Sequence, residues 1–235
     1  MLKQQDNAHL NEQQKRLLIN HFAAMINENR KALLQKVLNQ RTRYITLVLE
    51  DIVNSQNASA VLRTAEGMGL QDVHIIDQAN KYVLNKGVLK GAYKWLNIYK
   101  HKQSTIEVLH KLKSQGYCLY ALDPSPNSKS IFDIELHKGK AALLIGNEHF
   151  GLSKDALTLA DEQIHIPMYG FTESFNLSVS AAMTLQVLMP ALYKSNINWQ
   201  LLDDEKLDLT LDWYRKSVPR GYVLEQEFLR LNTKL

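Results

Sequence analysis

The chain has 235 residues, 45% of them hydrophobic, which suits one α/β domain with extensions and a core of ample size. A single cysteine, Cys118, excludes a disulfide framework and argues against a structural zinc site. The formal net charge of +4 is unevenly spread: residues 1–49 hold eight Lys/Arg against three acids, and residues 81–113 hold eight Lys against Glu107 alone. The first residues, Met1 to Asp6, lack the apolar core of a signal peptide, and no apolar run reaches the roughly 18 residues of a membrane span. The expected location is the cytoplasm.

In chain order, residues 11–39 place Leu18, Phe22, Met25, Ile26, Leu33, Leu34, Val37 and Leu38 at mostly helical spacing. Tyr44–Leu49 reads as the first strand. A loop over Glu50–Gln56 leads to a helix capped by Asn57, running through Met68 and ended by Gly69. Val73–Ile76 is a second strand. Residues 77–94 carry no clear pattern, and Trp95–Lys100 is the next strand. Here basic and aromatic residues interleave, as Lys81-Tyr82, Tyr93-Lys94-Trp95 and Tyr99-Lys100, a pattern that suits either phosphate contact with base stacking or a solvated lysine face. Thr105–Ser114 reads as a helix stopped near Gly116, followed by a strand over Tyr117–Leu122 and a turn-rich loop over Asp123–Ser128. Ala141–Ile145 is wholly apolar, as a buried parallel strand is. Ser153 opens a short helix, Gln163–Ile166 is a strand, and Leu177 opens a long helix that Pro190 kinks or ends. Past Trp199, Asp203-Asp204-Glu205 marks another helix start. Strands alternating with helices predict an open, mostly parallel α/β sheet.

Three of these strand-to-helix turns carry polar chemistry, and such turns line the carboxyl edge of an open α/β sheet, where ligands bind. In the first, Val61, Ala65 and Met68 make the buried stripe of the helix and leave Arg63 on another side with Ser59 and Glu66. Arg63 is then either a surface arginine paired with Glu66 or one held to engage a phosphate and a ribose. In the second, the apolar strand enters Gly146-Asn147-Glu148-His149-Phe150-Gly151; the glycine permits positive φ or close backbone approach, and Glu148 is either solvated or part of a site. In the third, Ile166-Pro167-Met168 ends a strand and Ser174-Phe175-Asn176 precedes the long helix, where Asn176 is a cap or one element of a binding edge. There is no Gly-x-Gly-x-x-Gly after the first strand, no phosphate loop ending in Gly-Lys-Ser/Thr, and no nucleophile elbow.

In order and content these segments resemble the three motifs of the SpoU (TrmH-type) RNA 2′-O-methyltransferases of the SPOUT superfamily, over roughly residues 30–225 and closest to the tRNA guanosine-18 branch. The resemblance implies a C-terminal deep trefoil knot, a rare exception to unknotted topology. It also implies a homodimer and an S-adenosylmethionine pocket lined by Leu122, Gly146, Ile166, Met168 and Phe175, with no metal. Arg63 would act at the ribose 2′-hydroxyl, as base or as stabiliser of alkoxide charge, with Asn57, Glu148, Ser174 and Asn176 orienting the site. Ser55 stands where the family often has proline, and Phe175 where leucine is frequent. The implied layout is a basic helical extension over 1–43, a methyltransferase domain over 44–195 and a helical tail over 196–235, with Arg41, Lys86, Lys90 and Lys94 contacting tRNA and no DNA or membrane partner. A ribosomal RNA target, another tRNA position, and a noncatalytic RNA-binding protein on the same fold are the competing readings; the absence of a separate N-terminal α/β domain favours tRNA.

Overall fold

The computed structural model describes residues 7–78, 83, 85–125 and 127–232. Met1 to Asp6, the Lys81-Tyr82 pair and Pro126 of the expected loop lie outside the described residues. The chain divides into two compact units, one from residues 1–41 with 200–235 and one from residues 42–199.

The larger unit is a seven-stranded sheet in the order β3-β2-β1-β6-β4-β7-β5, with every recorded pair parallel. The strands are β1 (Ile45–Glu50), β2 (Asp72–Ile76), β3 (Asn97–His101), β4 (Tyr117–Leu122), β5 (Lys129–Ser130), β6 (Lys140–Ile145) and β7 (Glu162–His165). β1 is buried along its whole length, and β6 everywhere but its first residue, as expected of central strands covered on both faces. On one face lie α3 (Ser55–Gly67) and α7 (Leu177–Lys194), packing Val61, Leu62, Ala65, Leu185 and Leu188 onto Leu47, Leu49 and Leu143. On the other lie α5 (Thr105–Ser114) and α6 (Lys154–Leu159), which bring Val108, Leu112 and Ala156 against Val48, Ala142 and Leu144. Burial of each Val or Leu side chain among these is worth about 1.5–3 kcal/mol.

Local chemistry moves some of the expected boundaries. α3 starts at Ser55, not Asn57: Asn54 is the cap, and its side chain accepts from the N–H groups of Gln56 and Asn57. Pro190 does not end α7, which continues to Lys194 because Leu188, Met189 and Leu192 hold both sides of the proline in the core. β3 starts at Asn97, two residues late, because Gly91 at φ +88° and a 3₁₀ turn at Ala92–Lys94 occupy the preceding chain. That turn and the short α4 (Lys86–Leu89) pack beside α3, where Asn85 N–H donates to Ser59 Oγ at 3.1 Å.

The smaller unit is helical: α1 (Glu12–Ala23), α2 (Glu28–Leu38), α8 (Asp203–Ser217) and α9 (Gly221–Leu231). The single helical stretch expected over 11–39 is two helices, because Asn27 caps the second by accepting from Arg30 N–H. Leu18, Phe22 and Ile26 pack on Leu211 and Val218. The fully buried Arg215 pairs with Glu225 and donates to Asn7 Oδ1 at 2.9 Å.

Candidate active site at the carboxyl edge

All strands run the same way, so the turns after β1, β4, β6 and β7 emerge at one edge. The turn after β6 closes on itself, with Asn147 and Gly151 exchanging N–H···O bonds of 2.9 Å in both directions. A Cβ on Gly146 would sit 2.3 Å from the Gly151 carbonyl carbon, so glycine is required there by the turn's own backbone. Asn147 Nδ2 donates to Asp51 O at 2.8 Å, which ties this turn to the end of β1.

The result is to aim Glu148 at the start of α3. One of its oxygens accepts from Val53 N–H at 3.1 Å; the other accepts from Asn54 N–H at 3.2 Å and from Asn57 Nδ2 at 3.1 Å. Asn57 Oδ1 accepts from Asn176 Nδ2 at 3.2 Å, and Asn176 Oδ1 accepts from Ser178 N–H at 2.9 Å and Ser178 Oγ at 2.6 Å. The direction of this relay is chemically forced. An ionised carboxylate only accepts, so Asn57 turns its NH₂ to Glu148 and its oxygen to Asn176, whose own oxygen then caps α7. Burial alone would raise the Glu148 pKa. The hydrogen bonds donated by Asn57 and by the N–H groups of Glu148 itself, Val53 and Asn54 outweigh it and hold the carboxyl below its usual range.

Three of the expected catalytic residues, Asn57, Glu148 and Asn176, are thus joined across two turns and a helix start that are distant in sequence. Arg63 and Ser174 stand outside this chain of bonds. Arg63 is exposed on α3 and forms no ion pair with Glu66. Ser59, expected on its side of the helix, is instead fully buried. Ser174 is exposed on the loop before α7. Lys86, Lys90 and Lys94 are exposed on the segment beside α3. Arg41 is a correction: it is 1% exposed, with its guanidinium 5.4 Å from the centre of the Trp213 ring, so it has no face to offer a phosphate.

Leu122 ends β4, and Gly146, Ile166 and Met168 follow the neighbouring strands β6 and β7. Gly146, Ile166 and Met168 lie beyond the strand ladders, so their peptide groups remain outside the sheet's hydrogen bonding, while Leu122 and Ile166 add apolar surface packed on the core. Free peptide donors and acceptors between apolar walls suit a purine and an amino-acid-like group, so these residues fit the nucleoside methyl donor expected from the motifs. Not anticipated from sequence are Asn54, the cap that Glu148 grips, and three aromatics on the edge loops, Phe150, Tyr169 and Phe171, that are 88–109% exposed.

A family model described as the SpoU rRNA methylase family matches residues 44–186. A tRNA (guanosine(18)-2′-O)-methyltransferase of Borreliella burgdorferi is 42% identical over 204 residues, covering 87% of this chain and 93% of that one. The enzyme of the same description from Thermus thermophilus is 30% identical over 195 residues, 80% of this chain and 97% of that one. Among solved structures, an A. aeolicus TrmH/SpoU tRNA modifying enzyme superposes with a TM-score of 0.72 at 26% identity, covering 82% of this chain and 98% of that one.

Proposed function

The chain belongs to the SpoU methylase family, and on that premise we propose that it methylates the ribose 2′-oxygen of guanosine 18 in tRNA, using S-adenosylmethionine. The observation that carries this reading is the Glu148–Asn57–Asn176 relay, which ties the motif turns to the start of α3, the helix on which Arg63 is exposed. S-adenosylmethionine supplies an electrophilic methyl carbon when bound among Leu122, Gly146, Ile166, Met168 and Phe175. Arg63 stabilises the negative charge that develops on the 2′-oxygen as its proton leaves to water; a guanidinium stays protonated in proteins and serves as an electrostatic partner. Glu148 is a positioning residue. Both its oxygens already accept hydrogen bonds and its pKa is lowered, so it is poorly placed to take the proton. Asn57 and Asn176 transmit its orientation to the start of α7, and Ser174 lies on the loop beside them.

The same reading includes the family's trefoil knot and a homodimer. Phe175, Val179 and Met183 recur every four residues and are 37–44% exposed, an apolar stripe that a second copy would cover. Among the described residues no helix is long and apolar enough to cross a membrane; the proposed compartment is the cytoplasm, where tRNA is modified. The test is transfer of isotopically labelled methyl to unmodified tRNA in the presence of a chelator, with the modified nucleotide mapped by mass spectrometry. Label on the 2′-oxygen of guanosine 18 is expected. Label elsewhere, or on ribosomal RNA alone, overturns the proposal.

A further inference from the structure

A second polar cleft lies away from the methyl-transfer edge. α5 covers the centre of its sheet face and leaves β2 and β3 partly open. The resulting cleft of about 280 Å³ is lined by Asp72 and His74 of β2, Tyr99 and His101 of β3, Lys111 of α5, and Arg43 with Lys140 at the amino ends of β1 and β6. Strand register puts His74 directly opposite Tyr99. Its imidazole stacks on Tyr99 (4.9 Å between centres, 16° between planes) and on His101 (5.2 Å, 17°).

Counting charges gives the ligand's sign. Asp72, the carboxylate lining the cleft, is neutralised internally: Arg43 Nε lies 3.0 Å from one oxygen, and Asn97 Nδ2 donates to the other at 2.8 Å. Lys111 and Lys140 have no carboxylate partner among the described residues; the Lys140 ammonium sits 5.4 Å from the centre of the Tyr117 ring. The two imidazoles share one hydrogen bond, His74 Nδ1 to His101 Nε2 at 2.9 Å. A neutral imidazole pair holds two N–H groups and this contact uses one, so one remains available whichever tautomers are present. Burial, with the nearby charge of Lys111, keeps both rings neutral, His74 down to about 3.

We propose that this cleft binds a phosphate group through Lys111, Lys140 and the remaining imidazole N–H of the His74–His101 pair. It lies on the α5 face of the sheet, at the β2–β3 end, whereas the relay joins the starts of α3 and α7 on the opposite face, so it is separate from the methyl-transfer turns. The phosphate comes either from the backbone of a bound RNA or from a free phosphorylated small molecule.

The experiment follows the His74 and His101 ring resonances by NMR during titration with inorganic phosphate and, separately, with tRNA, in the wild type and in Lys111→Ala/Lys140→Ala. Both lysines are exposed, so the variant should fold, which a melting curve checks. Phosphate is expected to shift both rings in the wild type and neither in the variant. If RNA is the source, tRNA produces the same shifts, and the variant raises the tRNA KM with kcat unchanged and lowers the salt slope by about 2. If the source is a free phosphorylated molecule, tRNA leaves the rings unmoved and the variant keeps its tRNA KM. Wild-type rings that respond to neither titrant overturn the proposal. The ring signals require no methyl transfer, so loss of the proposed catalytic function would leave this result standing.

Discussion

Arg63 is exposed and unpaired with Glu66, so truncating it should open no cavity and strand no buried partner. Arg63→Ala should therefore keep fold and methyl-donor binding, measured by calorimetry, while methyl transfer falls about 100- to 1,000-fold. Arg63→Lys keeps the charge but loses the planar fork, and should recover little. Near wild-type turnover of Arg63→Ala at saturating methyl donor would reassign the residue to the solvated surface. Asn57 tests the relay differently. Asn57→Asp places a carboxylate where an amide now donates to Glu148 at 3.1 Å. Stability measured by denaturant at neutral pH should drop by about 1–3 kcal/mol, and the deficit should shrink as pH falls into the carboxylate range, where the two groups share a proton. A pH-independent deficit would point to lost packing instead. Asn54 and Asn57 also mark where sequence stops being informative. Each is an asparagine next to a helical pattern, and local chemistry makes either a cap. What decides between them is Glu148, 91 residues from Asn57, whose carboxylate takes the Asn57 amide and leaves the cap to Asn54.

Strands and helices with strong periodic or apolar signals were legible: α5, β4 and the apolar run of β6 fall where the pattern puts them. Residues 85–94 were not, because short turns set by Asn85, Lys90 and Gly91 replace any repeat. That irregular segment carries Lys86, Lys90 and Lys94 beside the Arg63 helix. Changing all three to Ala should weaken tRNA binding and reduce the salt slope by about 3; an unchanged slope would make them a solvated face. The β2–β3 pair has its own pH signature. His74 is held neutral down to about 3 by burial, with His101 and Lys111 adding to the effect, whereas in the unfolded chain it titrates near its ordinary 6.5. The unfolded state thus takes up a proton that the folded state refuses, and stability should fall as pH is lowered from about 7 toward 3. Denaturant midpoints across that range should decline less steeply in His74→Phe, which keeps a ring to stack on Tyr99 but cannot be protonated. An identical decline would place the titrating group elsewhere.

The two-unit division was beyond the reach of local pattern. Both flanking segments read as helical, but nothing in either predicts that Leu18 and Phe22 would find their cover in Leu211 and Val218. The association is also polar, since Asn7 donates to Asp208 O at 3.2 Å and accepts from Arg215. Deleting residues 203–235 should therefore unfold α1 as well as remove α8 and α9. Limited proteolysis should then cut within Glu12–Ala23, while the unit of residues 42–199 stays resistant. A protected α1 in that truncation would mean it is stable alone.

The interleaving of the two units also sets a schedule for a ribosome. α1 leaves the exit tunnel long before α8 exists, because the whole of residues 42–199 is made between them. At about 5–20 residues per second, that interval lasts roughly 8–32 s. Leu18, Phe22 and Ile26 spend it uncovered on the nascent chain, while the parallel sheet behind them is still being made.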